Sequence, residues 1–78
     1  MTPREHVIVA IRALLDDDMG PPADDVKLTP IGLDSLGVVA LAMDLEERLG
    51  VEVPDGEEAR WTTVGDVVRW AEKAERQG

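Results

Sequence analysis

Residues 32–36 read Gly32-Leu33-Asp34-Ser35-Leu36, and residues 37–49 continue as GVVALAMDLEERL. The second stretch predicts one unbroken helix, and the pentapeptide predicts the turn that leads into it. Asp34 is a natural N-cap whose carboxylate accepts a hydrogen bond from the backbone N–H of Leu36 or Gly37. This places the Ser35 hydroxyl beside unpaired N–H groups at a helix start, a favourable position for a phosphate. We therefore interpret Ser35 as an attachment point.

Two further helices flank this one in the prediction. Residues 2–5, Thr2-Pro3-Arg4-Glu5, form a capping box that begins a helix ending near Asp17 or Asp18. A second capping box, Thr63 with Asp66, begins the last helix, which we expect to fray after Ala74. Their apolar stripes are Val7, Ile8, Ile11, Leu14 and Leu15 in the first, and Val64, Val67, Val68, Ala71 and Ala74 in the last.

The connections complete the predicted fold. A long loop joins the first two helices, and Leu28, Ile31 and Leu33 are spaced to hold it against the core. After Gly50, residues 51–54 predict a connector whose valines point inward, and residues 57–61 predict a short third helix. We expect a small all-α four-helix bundle, with three longer helices and a short third one, formed as a single domain over residues 1–78.

The helix from Ser35 to Leu49 has two apolar faces, and the prediction assigns them differently. The first face continues to the helix end and is assigned to the core: Val38, Leu41, Ala42, Leu45 and Leu49. The second begins beside Ser35, meets acidic residues and is assigned to a partner-docking surface: Leu36, Val39, Ala40 and Met43, with Asp44, Glu46 and Glu47. The alternative is that both faces are core and long loops cover the outer one.

Composition limits the classes of function. The chain has 78 residues, 44% of them hydrophobic, with a formal net charge of −9 and no cysteine. The charge disfavours nucleic acid and favours partners with basic docking surfaces. The sequence shows no signal-peptide pattern and no stretch long enough to span a bilayer, so we expect a cytoplasmic monomer without membrane contact.

Catalysis and metal binding find little support in the sequence. Ser35 lacks an adjacent base, because the single histidine, His6, is predicted to be a solvated residue off the apolar stripe of the first helix. Residues 16–21 do not match a calcium loop. Trp61 and Trp70 are predicted at the core margin with their N–H groups toward water, and a secondary hypothesis places Trp61 beside a pocket. We predict no catalytic residue and no metal site.

The ordered set of motifs resembles acyl carrier proteins. The set is residues 32–36, the following helix with Met43 and Leu45-Glu46-Glu47, then residues 51–55, then Thr62-Thr63-Val64. The resemblance implies a 4′-phosphopantetheine arm from coenzyme A, attached to Ser35 by a phosphopantetheinyl transferase, with Asp34 and Leu36 flanking the site. The thiol that carries acyl groups would come with this arm, because the chain encodes none.

Departures from the family pattern leave the cargo open. Bacterial fatty-acid carriers usually have an acidic or polar residue where this chain has Gly37, and a glutamate where it has Ala40. The glycine at position 37 and the tryptophan at position 61 are similar to the residues that free-standing aminoacyl carriers of the D-alanyl type have at these positions. The Gly-Gly-x-Ser pattern of peptidyl carriers is not matched. We expect an acyl carrier of a polyketide, fatty-acid or other specialised pathway. Acyl- or aminoacyl-loading enzymes would load it, and it would present the cargo to downstream synthases with basic docking surfaces. An aminoacyl carrier, or an acidic docking module without an arm, are the alternatives.

Overall fold

The computed structural model describes residues 1–15 and 22–77, with only the backbone described for Gln77. Three α-helices are present in this part of the chain: α1 (Pro3–Leu15), α2 (Ser35–Leu49) and α3 (Val64–Gln77). A 3₁₀ turn, Glu58–Arg60, lies between α2 and α3. The all-α prediction is confirmed, although the short third helix is a single 3₁₀ turn. The predicted end of the first helix at Asp17 or Asp18, and the acidic residues 16–18, lie outside the described residues.

Both predicted capping boxes form. At α1, the Glu5 N–H donates to Thr2 Oγ1 at 3.2 Å and the Thr2 N–H donates to Glu5 Oε1 at 3.1 Å. At α3, the Asp66 N–H donates to Thr63 Oγ1 at 3.2 Å and the Thr63 N–H donates to Asp66 Oδ2 at 3.0 Å. Each pair satisfies two backbone donors that the helix itself leaves unpaired, and this fixes where the helix begins.

The core is mainly aliphatic and is centred on α1, which packs against both α2 and α3. The buried residues come from all three helices, the long loop, the connector before the 3₁₀ turn, and Trp61 directly after that turn. Their largest fully buried members are Ile11, Leu28, Leu41, Leu45, Val7, Val64, Val67 and Val68. The face of α2 assigned to the core is buried as predicted, with Leu49 partly buried at its end.

The long loop is held by backbone hydrogen bonds to the start of α3 as well as by side-chain burial. The Leu28 N–H donates to the Thr62 carbonyl at 2.9 Å, and the Val64 N–H donates to the Val26 carbonyl at 2.9 Å. Leu28 and Leu33 are buried and Ile31 is half-buried, as the sequence predicts. This loop is therefore a fixed part of the fold on the side that leads into α2.

Two local predictions are wrong. The last helix continues in helical geometry to Gln77 and does not fray after Ala74, because residues 73–77 are mostly good helix formers. His6 is half-buried, and its Nδ1 is shielded from solvent without a hydrogen-bond partner among the described residues. A position beside the apolar stripe of α1 is thus partly covered by neighbouring elements, which helical periodicity alone does not reveal.

Candidate functional site

The turn into α2 holds Ser35 between two anchored leucines. Leu28 and Leu33 are 1% and 3% exposed, and the Leu33 N–H donates to the Leu28 carbonyl at 3.0 Å. Gly32 has a φ of +108°, which L side chains rarely adopt, so the tight turn depends on glycine. Ser35 follows as the first residue of α2, and its side chain is exposed. The rigid loop thus presents an accessible hydroxyl.

Asp34 caps α2 as the sequence predicts. The Gly37 N–H donates to Asp34 Oδ1 at 2.9 Å, so of the two predicted donors, Leu36 and Gly37, the structure selects Gly37. A Cβ at Gly37 would lie 3.1 Å from Leu33 Cδ2 and 3.5 Å from Asp34 Oδ1. The small residue therefore lets the loop pack close against the first turn of the helix, and the cap fixes the backbone on either side of Ser35.

A cavity of about 400 Å³ opens beside the Ser35 side chain. It lies between the turn into α2, the outer side of the first turns of α2, and the 3₁₀ turn. Its lining is largely apolar but includes the carboxylates of Asp34 and Glu58. The full set of lining residues is Leu28, Thr29, Leu33, Asp34, Ser35, Val38, Val39, Glu58, Ala59 and Trp61. Its volume falls within the range of small-molecule sites, and Ser35 forms part of its wall.

Trp61 lines this cavity, and its burial contradicts the prediction made for its indole. The side chain is only 5% exposed, and Nε1 is buried without a hydrogen-bond acceptor among the described residues, so the N–H does not reach water. Its ring lies 5.4 Å from the half-buried ring of Trp70, centroid to centroid, at an interplanar angle of 53°. Both tryptophans line a second, open groove along α3, and of the two only Trp61 also lines the cavity beside Ser35.

The apolar residues predicted for docking lie on the outside of α2. Leu36, Val39 and Met43 are 79%, 44% and 64% exposed, and Ala40 between them is half-buried. The helix therefore buries one apolar face and exposes the other. Ser35 precedes this strip directly, so the attachment point and the exposed apolar strip are continuous along the helix.

The three acidic residues at the end of this strip have different surroundings. Asp44 is half-buried and accepts a hydrogen bond from Arg48 Nε at 3.0 Å. Glu46 is half-buried, and its Oε2 accepts from the Val53 N–H at 2.7 Å, so it also ties α2 to the connector. Glu47 is exposed. Of the three carboxylates, that of Glu47 is therefore the most accessible to a partner.

Sequence reasoning missed several residues of the site. Thr29, Glu58 and Ala59 line the cavity, but no local pattern places the 3₁₀ turn against the start of α2. Glu46 looks like a surface residue by helical spacing, and its contact with Val53 depends on the chain reversing at Gly50. The sequence signal for that reversal was Gly50 itself, since glycine is favoured directly after a helix, and it adopts the αL conformation there with φ of +67°.

Comparison with known proteins identifies the class of domain. Residues 5–71 match the family model described as "Phosphopantetheine attachment site". This match covers most of the chain and includes the turn into α2, all of α2 and the first half of α3. The helical fold and the match together define a phosphopantetheine-bearing carrier domain.

Similar sequences and a similar structure give the family. The acyl carrier protein of Thermotoga maritima is 32% identical over 78 aligned residues, covering 94% of this chain and 96% of that protein. The acyl carrier protein of Helicobacter pylori is 41% identical over 69 residues, covering 80% of this chain and 86% of that protein. The solution structure of the acetyl actinorhodin acyl carrier protein from Streptomyces coelicolor superposes with a TM-score of 0.70 at 27% identity, covering 90% and 91% of the two chains. The chain belongs to the acyl carrier protein family.

Membership in the family defines the protein as a non-catalytic carrier with a covalent 4′-phosphopantetheine group. The residues around α2 fit such a group. The exposed Ser35 side chain leaves room for a long substituent, and the adjoining cavity can receive part of it. When bound, the group supplies a thiol that holds acyl groups as thioesters. No helix in the described part of the chain combines the length and apolarity needed to cross a membrane.

Proposed function

We propose that this protein carries biosynthetic acyl intermediates on a phosphopantetheine arm attached to Ser35. The observation that carries the proposal is the exposed Ser35 side chain at the first position of α2, on a loop held by the buried Leu28 and Leu33. A carrier needs its attachment point fixed and accessible, while the cargo moves on a flexible tether. Tethering raises the concentration of cargo at a partner's active site without any catalysis by the carrier.

In this proposal Ser35 is an acceptor and not an autonomous nucleophile. Its Oγ forms the new bond to phosphorus, the pyrophosphate bond of coenzyme A breaks, and 3′,5′-ADP leaves. The hydroxyl proton passes to a base of the phosphopantetheinyl transferase. The cavity beside Ser35 has Asp34 and Glu58 in its lining but no histidine or lysine, which supports an external base.

The exposed strip of Leu36, Val39 and Met43 is proposed as the docking surface for the transferase and for loading enzymes. Ala40 contributes to its centre, and Asp44, Glu46 and Glu47 supply negative charge toward its far end. Apolar contact at the centre with charge at the rim is the usual composition of a transient interface. The net charge of −9 supports partners with basic surfaces.

For the cargo, we propose acyl groups of a polyketide or other specialised pathway. Gly37 and Ala40 make the beginning of the strip less acidic than in typical bacterial fatty-acid carriers. An aminoacyl cargo is the second candidate, because Gly37 and Trp61 resemble that class. Presenting the modified protein separately to an acyl-activating and an aminoacyl-activating enzyme discriminates the two by which enzyme adds mass.

The attachment proposal is tested by incubating the protein with coenzyme A and a broad-specificity transferase. We expect the intact mass to rise by one phosphopantetheinyl group in the wild type and in Thr29→Ala, but not in Ser35→Ala. Thr29 is a matched control, because it is an exposed hydroxyl residue lining the same cavity. No gain in the wild type would favour an unmodified docking module, and a gain that persists in Ser35→Ala would move the attachment elsewhere.

A further inference from the structure

An ion pair lies along one edge of the exposed strip of α2. Asp44 follows Ala40 by one helical turn and Arg48 follows Asp44 by another, so the three side chains lie in one row. Arg48 Nε donates a hydrogen bond to Asp44 Oδ2 at 3.0 Å, and the two side chains are only 29% and 28% exposed. Charges that are partly buried are screened by salt less than fully exposed ones. Arg48 therefore balances the charge of Asp44 before any partner arrives.

The other two carboxylates at this end of the strip are not balanced in this way. Glu46 Oε2 accepts from the Val53 N–H, which is a neutral donor, so Glu46 keeps its negative charge. Glu47 is exposed, and it forms no ion pair within the part of the chain that the structure describes. The end of the strip therefore presents negative charge at Glu46 and Glu47, and a neutral pair along the edge.

The pairing has a consequence for a basic partner. A cation that approaches the carboxylate of Asp44 must either displace the Arg48 guanidinium or lie beside it. The first costs an existing charge-assisted hydrogen bond, and the second places two like charges together. Built-in repulsion of this kind is one way in which an interface rejects unsuitable partners.

We propose that Arg48 sets the specificity of this docking surface by balancing Asp44, so that the surface takes partners with basic residues opposite Glu47 and discriminates against a further cation opposite Asp44. The inference rests on the proposed function, because it concerns the docking surface proposed there. Arg48 is a positioning residue, since it acts through the Asp44 carboxylate. If Arg48 only stabilised the last turn of α2, its removal would change the melting temperature and not the rate of association.

The proposal is tested by stopped-flow association of the unmodified protein with the broad-specificity transferase at low and high ionic strength. We expect Arg48→Gln to raise the association rate constant about 2- to 5-fold at low salt and by less at high salt, because the unbalanced Asp44 attracts the basic partner. Arg76→Gln is the matched control, since it removes an exposed cation from α3, outside the strip. It makes the same change in net charge, and we expect a gain of no more than about 1.5-fold. Equal gains in the two variants would overturn the proposal.

A second substitution assigns the effect to Asp44. Adding Asp44→Asn to Arg48→Gln replaces the ion pair with two neutral amides, and we expect it to abolish the gain. A gain that persists in the double variant would overturn the proposal, because Arg48 would then act independently of Asp44. A double variant much slower than the wild type would also overturn it, because Asp44 would then contact the transferase in spite of Arg48.

Asp44→Asn alone gives a measurement that does not depend on the stability of Arg48→Gln. It leaves Arg48 unbalanced, so we expect association to slow about 2- to 5-fold at low salt and to approach the wild-type rate at high salt. An unchanged rate at low salt would overturn the proposal. Complete mass gain at Ser35 with an unchanged association rate in Arg48→Gln overturns this inference alone, whereas absence of mass gain in the wild type overturns the proposed function itself.

Discussion

Asp66 connects the end of the connector to the first turn of α3. Its Oδ2 accepts from the backbone N–H groups of Thr62 and Thr63, at 2.9 and 3.0 Å, and its other oxygen pairs with Arg69. The two backbone hydrogen bonds, followed by the Arg69 charge, hold the pKa of Asp66 below its usual value. Because Trp61 immediately precedes these residues, the same carboxylate also fixes the chain beside the cavity.

The lowered pKa of Asp66 predicts a pH-dependent contribution to stability. A carboxylate with a depressed folded-state pKa stabilises the protein above its unfolded pKa, near 4, and loses that contribution as pH falls through the folded value. We expect Asp66→Asn to lower the free energy of unfolding by about 1 kcal/mol at pH 7 and by less as the pH drops below about 4. Urea titrations across this range measure the difference.

The matched control for Asp66 is Glu75→Gln, which removes an exposed carboxylate from the same helix. We expect this variant to follow the wild type at every pH. A gap between wild type and Asp66→Asn that is as large in acid as at neutral pH would contradict the account, since it would not depend on the carboxylate's charge.

Gly65 is required for close packing rather than for backbone conformation. Its N–H donates to the Asp24 carbonyl at 2.8 Å, and a Cβ there would lie 3.0 Å from that same oxygen. We expect Gly65→Ala to destabilise the protein by about 1–3 kcal/mol, although alanine is the better helix former by about 1 kcal/mol. Urea denaturation measures the free energy of unfolding, with Lys73→Ala, an exposed substitution on α3, as the control. A Gly65→Ala variant more stable than the wild type would show that the contact with Asp24 is not tight.

At the scale of the element, α2 has two apolar faces with different burial. Helical periodicity predicts both faces, and the acidic residues at the end of one indicate which is outside. It does not predict that Glu46 would reach the Val53 N–H or that the 3₁₀ turn would cover the start of the helix. Those contacts depend on how the chain returns after Gly50, which is a property of the assembled fold. The caps are local and were therefore predictable. The apolar stripe of α1 was predicted only in part, because Leu14 is exposed and the buried Ala10 takes its place in the core.

The assignment of faces predicts opposite effects of substitution. We expect Met43→Asp to change the melting temperature by no more than about 4 °C, because Met43 is 64% exposed, yet to reduce modification by the transferase. Leu45→Ala on the buried face should lower the melting temperature by about 10 °C or more. Thermal melts and transferase kinetics provide both readouts. A large loss of melting temperature in Met43→Asp would place that residue in a covered interface.

At the scale of the whole molecule, the charge of −9 on 78 residues favours encounters with basic partners. Composition predicted this charge, whereas the all-α class was predicted from the caps and apolar stripes of the three longer helices. It did not predict the interior of the site, since Trp61 stands between Arg60 and Thr62 in a stretch without periodicity. The burial of the indole appears only when the connector is folded against α2.

Electrostatic steering predicts a salt-dependent effect of Glu47. We expect Glu47→Lys to slow association with the transferase at low salt and to have little effect at high salt, because exposed charges are screened. At position 46 the charge is removed with Glu46→Gln and not reversed, since a lysine there would also disturb the contact with the Val53 N–H. Stopped-flow association rates at two ionic strengths measure both; a Glu47→Lys rate equal to wild type at low salt would leave this residue without a steering role.

The central claim is that one hydroxyl, at the start of α2, receives the arm. Trypsin should release residues 28–48 as one peptide, since Lys27 and Arg48 bound a stretch without internal lysine or arginine. This peptide contains two hydroxyl residues, Thr29 and Ser35. Fragmentation after treatment with coenzyme A and transferase is predicted to place the added mass on Ser35. Mass on Thr29, or an unmodified peptide from a modified protein, would contradict the account.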